Sequence, residues 1–550
     1  MNTKIISLIM ALLIIVGCLA SCNVQETSTE DPTEAPTATP TEQPTETKKP
    51  SSTKKPSSTE KQEEVDLDTN VDDSNLVIPE GADIFKEGKI KIADTDISEF
   101  VIVLSTEPTA AESLMATEIT NWVKKITGVA LTTVNDSTAA AAHEILLGKT
   151  NRAESTEVIG SGFKENGLTN PYAFRAIVKN GKLAIASGHS DGYYIAQNSL
   201  KLVIEKCKGQ LNCDFSNQNL SYDSIKKIST GAVKIEEVSN GLKYYKCLPE
   251  QEEYWAKAHS GAADNAKAAN GCRLDFDTNS TTFYFETTGG KCVFLLNGKQ
   301  VEVSTNKKFY RLATLNGYKE GTNRITLILP GSNNQTWSLA RVWLDAGSTT
   351  TRHEYDLKML FLGDSITQGY NNQGNEANTY TFYTSEYFNA ESVVQGNGGA
   401  VFDPKYLANI DYTPDVIIVA YGCNDWSRYR NSDIATITEK VEDYFKELTK
   451  YYPNTPIIAL SPIYRYDIPK YAGCKVGFEY IGAIMEDVCY NYSNITVING
   501  FDFVPHSADD RNVYWADDIH PNGKGFIEYG KSLTAAIKDQ IEAIVAAKSN

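Results

Sequence analysis

The run DVIIVAY, residues 415–421, leaves the chain few choices. Five apolar, largely β-branched residues stand in a row, with no polar position at period two or at period 3.6. That pattern suits a strand buried on both faces rather than a half-exposed one. Such a strand needs a layer on each side, and one chain supplies those layers most simply as helices above and below a parallel sheet. The flanking sequence agrees. Strands are expected at Lys358–Leu362, Ser392–Gln395, Asp415–Tyr421, Pro456–Leu460 and Ile495–Ile498, with helices between them. The clearest helix sets Ile434, Ile437, Val441, Phe445 and Leu448 on one face and opens at Ser432 and Asp433. Residues 353–550 are therefore expected to be an α/β domain with a doubly wound parallel sheet.

The residues with chemical potential lie just past those strands. The first strand ends in "LFLGDSITQG", so Gly363, Asp364 and Ser365 sit at a carboxyl edge, where open α/β sheets bind their ligands. The second runs into "QGNGGA" (Gln395 to Ala400), the third into "GCND" (Gly422 to Asp425), and "DDIHPNG" (Asp517 to Gly523) precedes the last helix. Each alone reads as a turn or cap, since Gly, Asp, Asn and Ser are ordinary there. In this order, and after these strands, the four blocks resemble the SGNH family of GDSL-type esterases.

That resemblance implies roles with physical reasons. Ser365 is the nucleophile, and a serine hydroxyl needs a base within hydrogen-bond reach. His520 is the base, and Asp517, at the family spacing DxxH, orients it; Asp518 is the adjacent alternative. The anion hole takes the Ser365 backbone N–H, the Asn424 amide and one glycine N–H. Family blocks read N-x-G-x-x-G; here Val394 replaces the asparagine, Gly396 fits the spacing and Gly398 is the other candidate. Asp425 and Trp426 are expected to shape the pocket wall. No metal or cofactor is implied.

Two regions precede this domain. Residues 82–224 alternate strands ("FVIVL", "EILLG", "YAFRAIV", "KLAIAS") with two helices, one placing Leu114, Met115, Ile119, Trp122, Val123 and Ile126 on a face before Gly128. The pattern resembles the α+β accessory domain ahead of hexosaminidase and α-glucuronidase barrels. Its His143 and His189 read as surface or loop residues. Residues 230–348 switch to short alternating strands separated by "TTGGK" and "LNGKQ", the signature of a β-sandwich. A jelly roll followed directly by "LFLGDSITQG" resembles the two-domain carbohydrate esterases. Tyr254, Trp255 and Trp337 are candidate sugar contacts, although packing is the commoner fate of such residues.

The N-terminus reads as targeting. Lys4 and the short apolar run Ile5 to Val16 are followed by "LASC", which resembles a bacterial lipobox and makes Cys22 the lipidated residue; "IVGC", at Cys18, is a second candidate. Residues 1–22 are then a lipoprotein signal peptide. Residues 23–81, rich in Thr, Pro, Glu and Ser, hold too little apolar surface to fold and read as a spacer. The expected location is the outer face of a bacterial membrane, reached only through that lipid.

Composition narrows the partners. A formal net charge of -18 argues against nucleic acid and anionic membrane surfaces as partners. The 30 Tyr against 19 Phe suit a surface that faces sugars. Eight cysteines beyond Cys22 show no CxxC and no metal spacing; Cys207 and Cys213 could bridge in an oxidising setting, and buried free thiols are the equal alternative. The expected activity is deacylation, deacetylation first, of an acylated polysaccharide or oligosaccharide. A lipase or lysophospholipase is the rival within the same chemistry. A glycan-binding surface protein with an inactive hydrolase domain is the rival of another class, and the intact set Ser365, Asn424, Asp517 and His520 disfavours it.

Overall fold

Five parallel strands form the sheet of the C-terminal region: β1 (Leu357–Gly363), β2 (Ala390–Gly396), β3 (Val416–Ala420), β4 (Ile457–Leu460) and β5 (Ile495–Ile498). These come from a computed structural model that describes residues 90–165, 167–258, 262–331 and 337–548. The order is β2-β1-β3-β4-β5, so the connections reverse direction between β1 and β3. That reversal opens a crevice at the carboxyl edge between those two strands. The apolar run around Ile417 and Ile418 is fully buried, as expected of a strand covered on both sides. The helix Tyr380–Tyr387 packs with the long C-terminal helix Gly523–Lys548, and Ile434–Tyr451 packs with Tyr480–Cys489. Ile437, Val441, Phe445 and Leu448 are buried as the periodicity requires, but Ile434 is exposed because it opens the first turn.

The region upstream is a small mixed sheet and a curled antiparallel sheet. The mixed sheet has six strands, with Val101–Leu104, Glu144–Leu147 and Lys182–Ser187 parallel at its centre. The helix Ala110–Thr127 ends at Gly128, as the sequence predicts, and buries Met115, Ile119 and Val123. Leu114 is 59% exposed, one position off the buried stripe. His143 lies against the Phe100 ring, and His189 caps the helix Ser190–Lys206. Cys207 and Cys213 approach to 3.9 Å without a bond.

The antiparallel strands form one hydrogen-bonded, curled sheet of ten strands. "TTGGK" is not a hairpin turn. Thr282–Leu296 is a single strand, and both its halves pair with Lys299–Arg311 across a bulge between Glu286 and Lys291. The reversal comes instead at Asn297 and Gly298, both in the left-handed region. Gln218 and Asn219 already pair with this sheet, at Leu344 and Trp343. Trp255 and Trp337 are buried, and Tyr254 is half-buried with its hydroxyl donating to Asp403 at 2.6 Å, so packing claims all three aromatics.

The antiparallel and parallel regions are joined by buried polar contacts. Arg273 and Arg324 reach both Asp275, on an antiparallel strand, and Glu386, in the helix before β2. Asp275 is desolvated, yet the two guanidiniums hold its carboxyl at about 2. Leaving one such charge unpaired costs roughly 3–5 kcal/mol. Lys246 donates to Gly396 O and accepts from Gln395 Nε2 at the end of β2, the edge strand, and Gln251 and Trp255 both donate to Tyr406 O. An edge strand is protected in this way from pairing with other chains.

The expected signal segment, Cys22, Cys18 and the whole spacer lie outside the described residues. No helix among the described residues is long and apolar enough to cross a membrane.

Candidate active site

Strand β1 delivers Ser365 to the crevice. Its last residue must be glycine, because a Cβ on Gly363 would lie 2.0 Å from Thr367 Oγ1 and 2.7 Å from Ala420 O. The chain then turns at once into the short helix Ser365–Gln368, with Asp364 Oδ1 accepting from the Ile366 N–H at 2.9 Å. Asp364 is buried, and desolvation pushes its carboxyl up to about 6 against the pull of that hydrogen bond, His520 and Arg465. Ser365 itself stays partly exposed.

The loop before the C-terminal helix brings His520 to meet it. Ser365 Oγ lies 2.9 Å from His520 Nε2. On the other side of the ring, Nδ1 lies 2.9 Å from Asp517 Oδ2. Asp517 is tightly held: its Oδ1 accepts from the backbone N–H groups of Ile519 (2.8 Å) and His520 (2.7 Å), and its Oδ2 from Asn371 Nδ2 (3.0 Å). Partial burial would raise its pKa, but the hydrogen bonds from His520 and Ile519 outweigh this and hold it at about 2. Tyr370 packs edge-on against the imidazole at 4.9 Å. A ring held by a carboxylate at Nδ1 presents Nε2 to the hydroxyl as a proton acceptor.

Asn424 enters from the helix Cys423–Tyr429, which follows β3. Its Nδ2 donates to Asp364 Oδ2 at 3.2 Å and to Ala400 O at 3.0 Å. Arg465 secures this helix: it pairs two-pronged with Asp467 and donates to Cys423 O and Ser427 Oγ, each at 2.7 Å. Asp425 and Trp426, expected to shape the pocket wall, are both buried. Trp426 donates to Val476 O, and desolvation pushes the Asp425 carboxyl up to about 7.

Gly396 is placed differently from expectation. Gly363 pairs with Gly396 in register, and Gly363 O accepts from Asn397 N, so the N–H and C=O of Gly396 point the other way, off the edge of the sheet. Its carbonyl accepts from Lys246 Nζ at 2.5 Å. The glycine is needed for closeness: a Cβ there would lie 2.3 Å from Gln368 N. Gly398, the alternative, donates its N–H to Gln368 Oε1 at 2.7 Å, and Ala400 N–H donates to Asn397 O. Among the described residues no backbone acceptor faces the Gly399 N–H.

The sequence reading missed Tyr370, Asn371, Gln368, Arg465 and Lys246. Tyr370 and Asn371 lie just past the serine block, where proximity to Ser365 was a usable signal. Lys246 lies 150 residues from its partner Gly396, and nothing local marks it.

Residues 361–526 match the family described as GDSL-like Lipase/Acylhydrolase. The match is confined to the C-terminal region that holds Ser365, Asn424, Asp517 and His520. No curated protein matches the chain. Among solved structures it is similar to the salicylyl-acyltransferase SsfX3 from a tetracycline biosynthetic pathway, with 14% identity, a TM-score of 0.50, and coverage of 59% of this chain and 97% of that one. It is also similar to a family two carbohydrate esterase from Clostridium thermocellum in complex with cellohexaose (16% identity, TM-score 0.40, 57% and 98% covered). A third is a carbohydrate esterase family 2 enzyme with a carbohydrate binding domain from Corynascus thermopiles (Myceliophthora fergusii) (15% identity, TM-score 0.40, 50% and 94% covered). At 14% identity the likeness to the acyltransferase is one of fold.

Proposed function

We propose that this protein is a serine esterase that deacylates, and first of all deacetylates, a polysaccharide or oligosaccharide outside a bacterial cell, held to the membrane by a lipid on Cys22. The observation that carries the esterase chemistry is the continuous relay Ser365 Oγ, His520 Nε2, His520 Nδ1, Asp517 Oδ2, with 2.9 Å at each hydrogen bond.

In this reading His520 takes the Ser365 proton as Oγ attacks the ester carbonyl. Asp517, ionised at any working pH, keeps the proton on Nδ1 and stabilises the imidazolium. The carbonyl oxygen becomes an anion in front of the Ser365 N–H and Asn424 Nδ2, with a backbone N–H of the Gly396–Ala400 turn as the third donor. His520 then protonates the departing sugar hydroxyl. Water, deprotonated by the same imidazole, releases the acid and restores Ser365. The glycan substrate is supported by the order of regions, an antiparallel domain before the hydrolase domain, and by the acidic charge, which disfavours anionic lipid.

Ser365→Ala removes one oxygen from a partly exposed position. It should abolish release of acetate from acetylated xylan and of p-nitrophenol from its acetate, with an unchanged unfolding midpoint. Wild-type turnover in that variant would remove Ser365 from the chemistry. Hydrolysis of the chromogenic ester without any release from acylated glycans would leave an esterase with a different substrate.

A further inference from the structure

Beneath the turn after β2 the antiparallel region reaches into the hydrolase domain. Lys246 is fully buried. Its Nζ donates to Gly396 O at 2.5 Å and to Asn270 Oδ1 at 3.3 Å. Asn270 Nδ2 donates to Gln368 O at 2.7 Å and to Gly331 O at 2.8 Å. Asn265 Nδ2 donates to Gly398 O at 3.2 Å, and its Oδ1 accepts from Gln368 Nε2 at 3.3 Å. Gln368 Oε1 in turn accepts from Gly398 N–H. Two segments of the hydrolase domain meet in this seam. One is the turn Gly396–Ala400, whose last carbonyl holds Asn424. The other is the end of the helix that starts with Ser365.

A methylene chain ending in a methyl group would fill the Lys246 position without charge. Burying an ammonium instead costs several kcal/mol unless its hydrogen bonds offset that. Here the ammonium is committed to one backbone carbonyl of the turn and one amide that holds the serine helix. The carbonyl is otherwise stranded on the outer side of an edge strand, where a buried acceptor without a donor is unfavourable.

We infer that Lys246, Asn265 and Asn270 are positioning residues for the anion-binding turn: the antiparallel region sets the Gly396–Ala400 turn against the Ser365 helix, and the hydrolase domain depends on it for transition-state stabilisation. The inference rests on the esterase reading of the site. None of the three residues contacts the relay, so their loss acts on the oxygen of the tetrahedral intermediate and leaves ground-state binding alone.

The test uses the full chain, p-nitrophenyl acetate as substrate and phenylboronic acid as a tetrahedral probe that adds to the serine. Lys246→Met should lower kcat roughly 10- to 100-fold, as misplacing a donor by a fraction of an ångström does, with KM within about twofold. Phenylboronic acid inhibition should weaken by a similar factor. Lys246→Gln, which retains an amide donor, should recover part of the loss. Should Lys246→Met fail to fold, Asn265→Ala, at a partly exposed position, decides, with an expected kcat loss of about tenfold at constant KM. A folded variant with wild-type kcat, or one changed only in KM, would overturn the inference while Ser365→Ala remained inactive. A wild-type protein with no esterase activity would instead overturn the reading of the site and take this inference with it.

Discussion

Asp517 and Asp518 are neighbours in the chain and face opposite ways. Asp517 Oδ2 lies 2.9 Å from His520 Nδ1, whereas Asp518 Oδ2 lies 2.5 Å from Lys470 Nζ and its Oδ1 meets Arg511. Asp517→Asn should therefore slow ester hydrolysis near pH 7 at least about a hundredfold, because an amide can stabilise the wrong imidazole tautomer and cannot balance imidazolium. Asp518→Asn loses only exposed ion pairs, worth well under about 1 kcal/mol, and should keep most of its activity. Side-by-side pH–rate profiles on one soluble ester decide. A larger loss in the Asp518 variant would reverse the assignment.

Asn424, the proposed anion-hole amide, gives a second expectation. Asn424 Nδ2 is shared between Asp364 Oδ2 and Ala400 O in the free protein. Asn424→Ala should cut kcat by roughly 10²- to 10³-fold with a small change in KM, the usual effect of losing such a donor. A variant that raised KM while sparing kcat would make Asn424 a substrate contact rather than a transition-state one.

Ser365 and Asn424 could be singled out in the sequence because the strands before them carry strong signals of their own. Ser365 and Asn424 follow β1 and β3, and unbroken apolar runs are hard to mistake. His520 and Asp517 are three apart in a single loop, so local geometry brings their side chains together. The features that escaped reading depend on distant pairing. "TTGGK" looks like a hairpin turn by composition, yet both flanking runs pair with the same partner strand, which no local pattern encodes. Leu114 and Ile434 fail for a simpler reason: each lies at the margin of an apolar stripe, and the tertiary contact does not extend that far.

Gly396 separates two kinds of need for glycine. A residue needed for its N–H tolerates alanine, while a residue needed for space does not. A Cβ at Gly396 would lie 2.3 Å from Gln368 N and 2.6 Å from Thr367 C, both backbone atoms. Gly396→Ala should therefore lower the unfolding free energy by about 1–3 kcal/mol and reduce kcat by displacing the Ser365 helix. Denaturant titration and steady-state kinetics on the same preparation check both. Unchanged stability would restore the spacing-based role.

Anchoring is a prediction from the sequence. Cys22→Ala, expressed in the native host, should move the protein from the membrane fraction to the medium or leave an unprocessed precursor. Retention of the variant in the membrane, with Cys18 intact, would favour the other cysteine.

The last expectation concerns pH and the carboxyls buried around the crevice and its interface. Desolvation pushes Asp364 up to about 6, and Asp425 and Glu376 up to about 7. Hydrogen bonds lower each only in part. In the unfolded chain these groups titrate near their ordinary values of about 4. Between about pH 4 and 7 the folded protein therefore holds more protons than the unfolded one, and stability falls as pH rises through that window. Asp275 and Asp517, held at about 2, act oppositely only below about pH 4. The unfolding free energy should then be lower at pH 8 than at pH 5 by roughly 2 kcal/mol or more. Asp425→Asn should flatten the decline, because the amide preserves an acceptor for the Phe402 N–H (3.0 Å) and never ionises. Urea titrations across this range, on the wild-type chain and the variant, read the slope directly. A stability that rose from pH 5 to 8, or an Asp425→Asn slope as steep as the wild type, would mean that Asp425 is ionised at little cost in the folded protein.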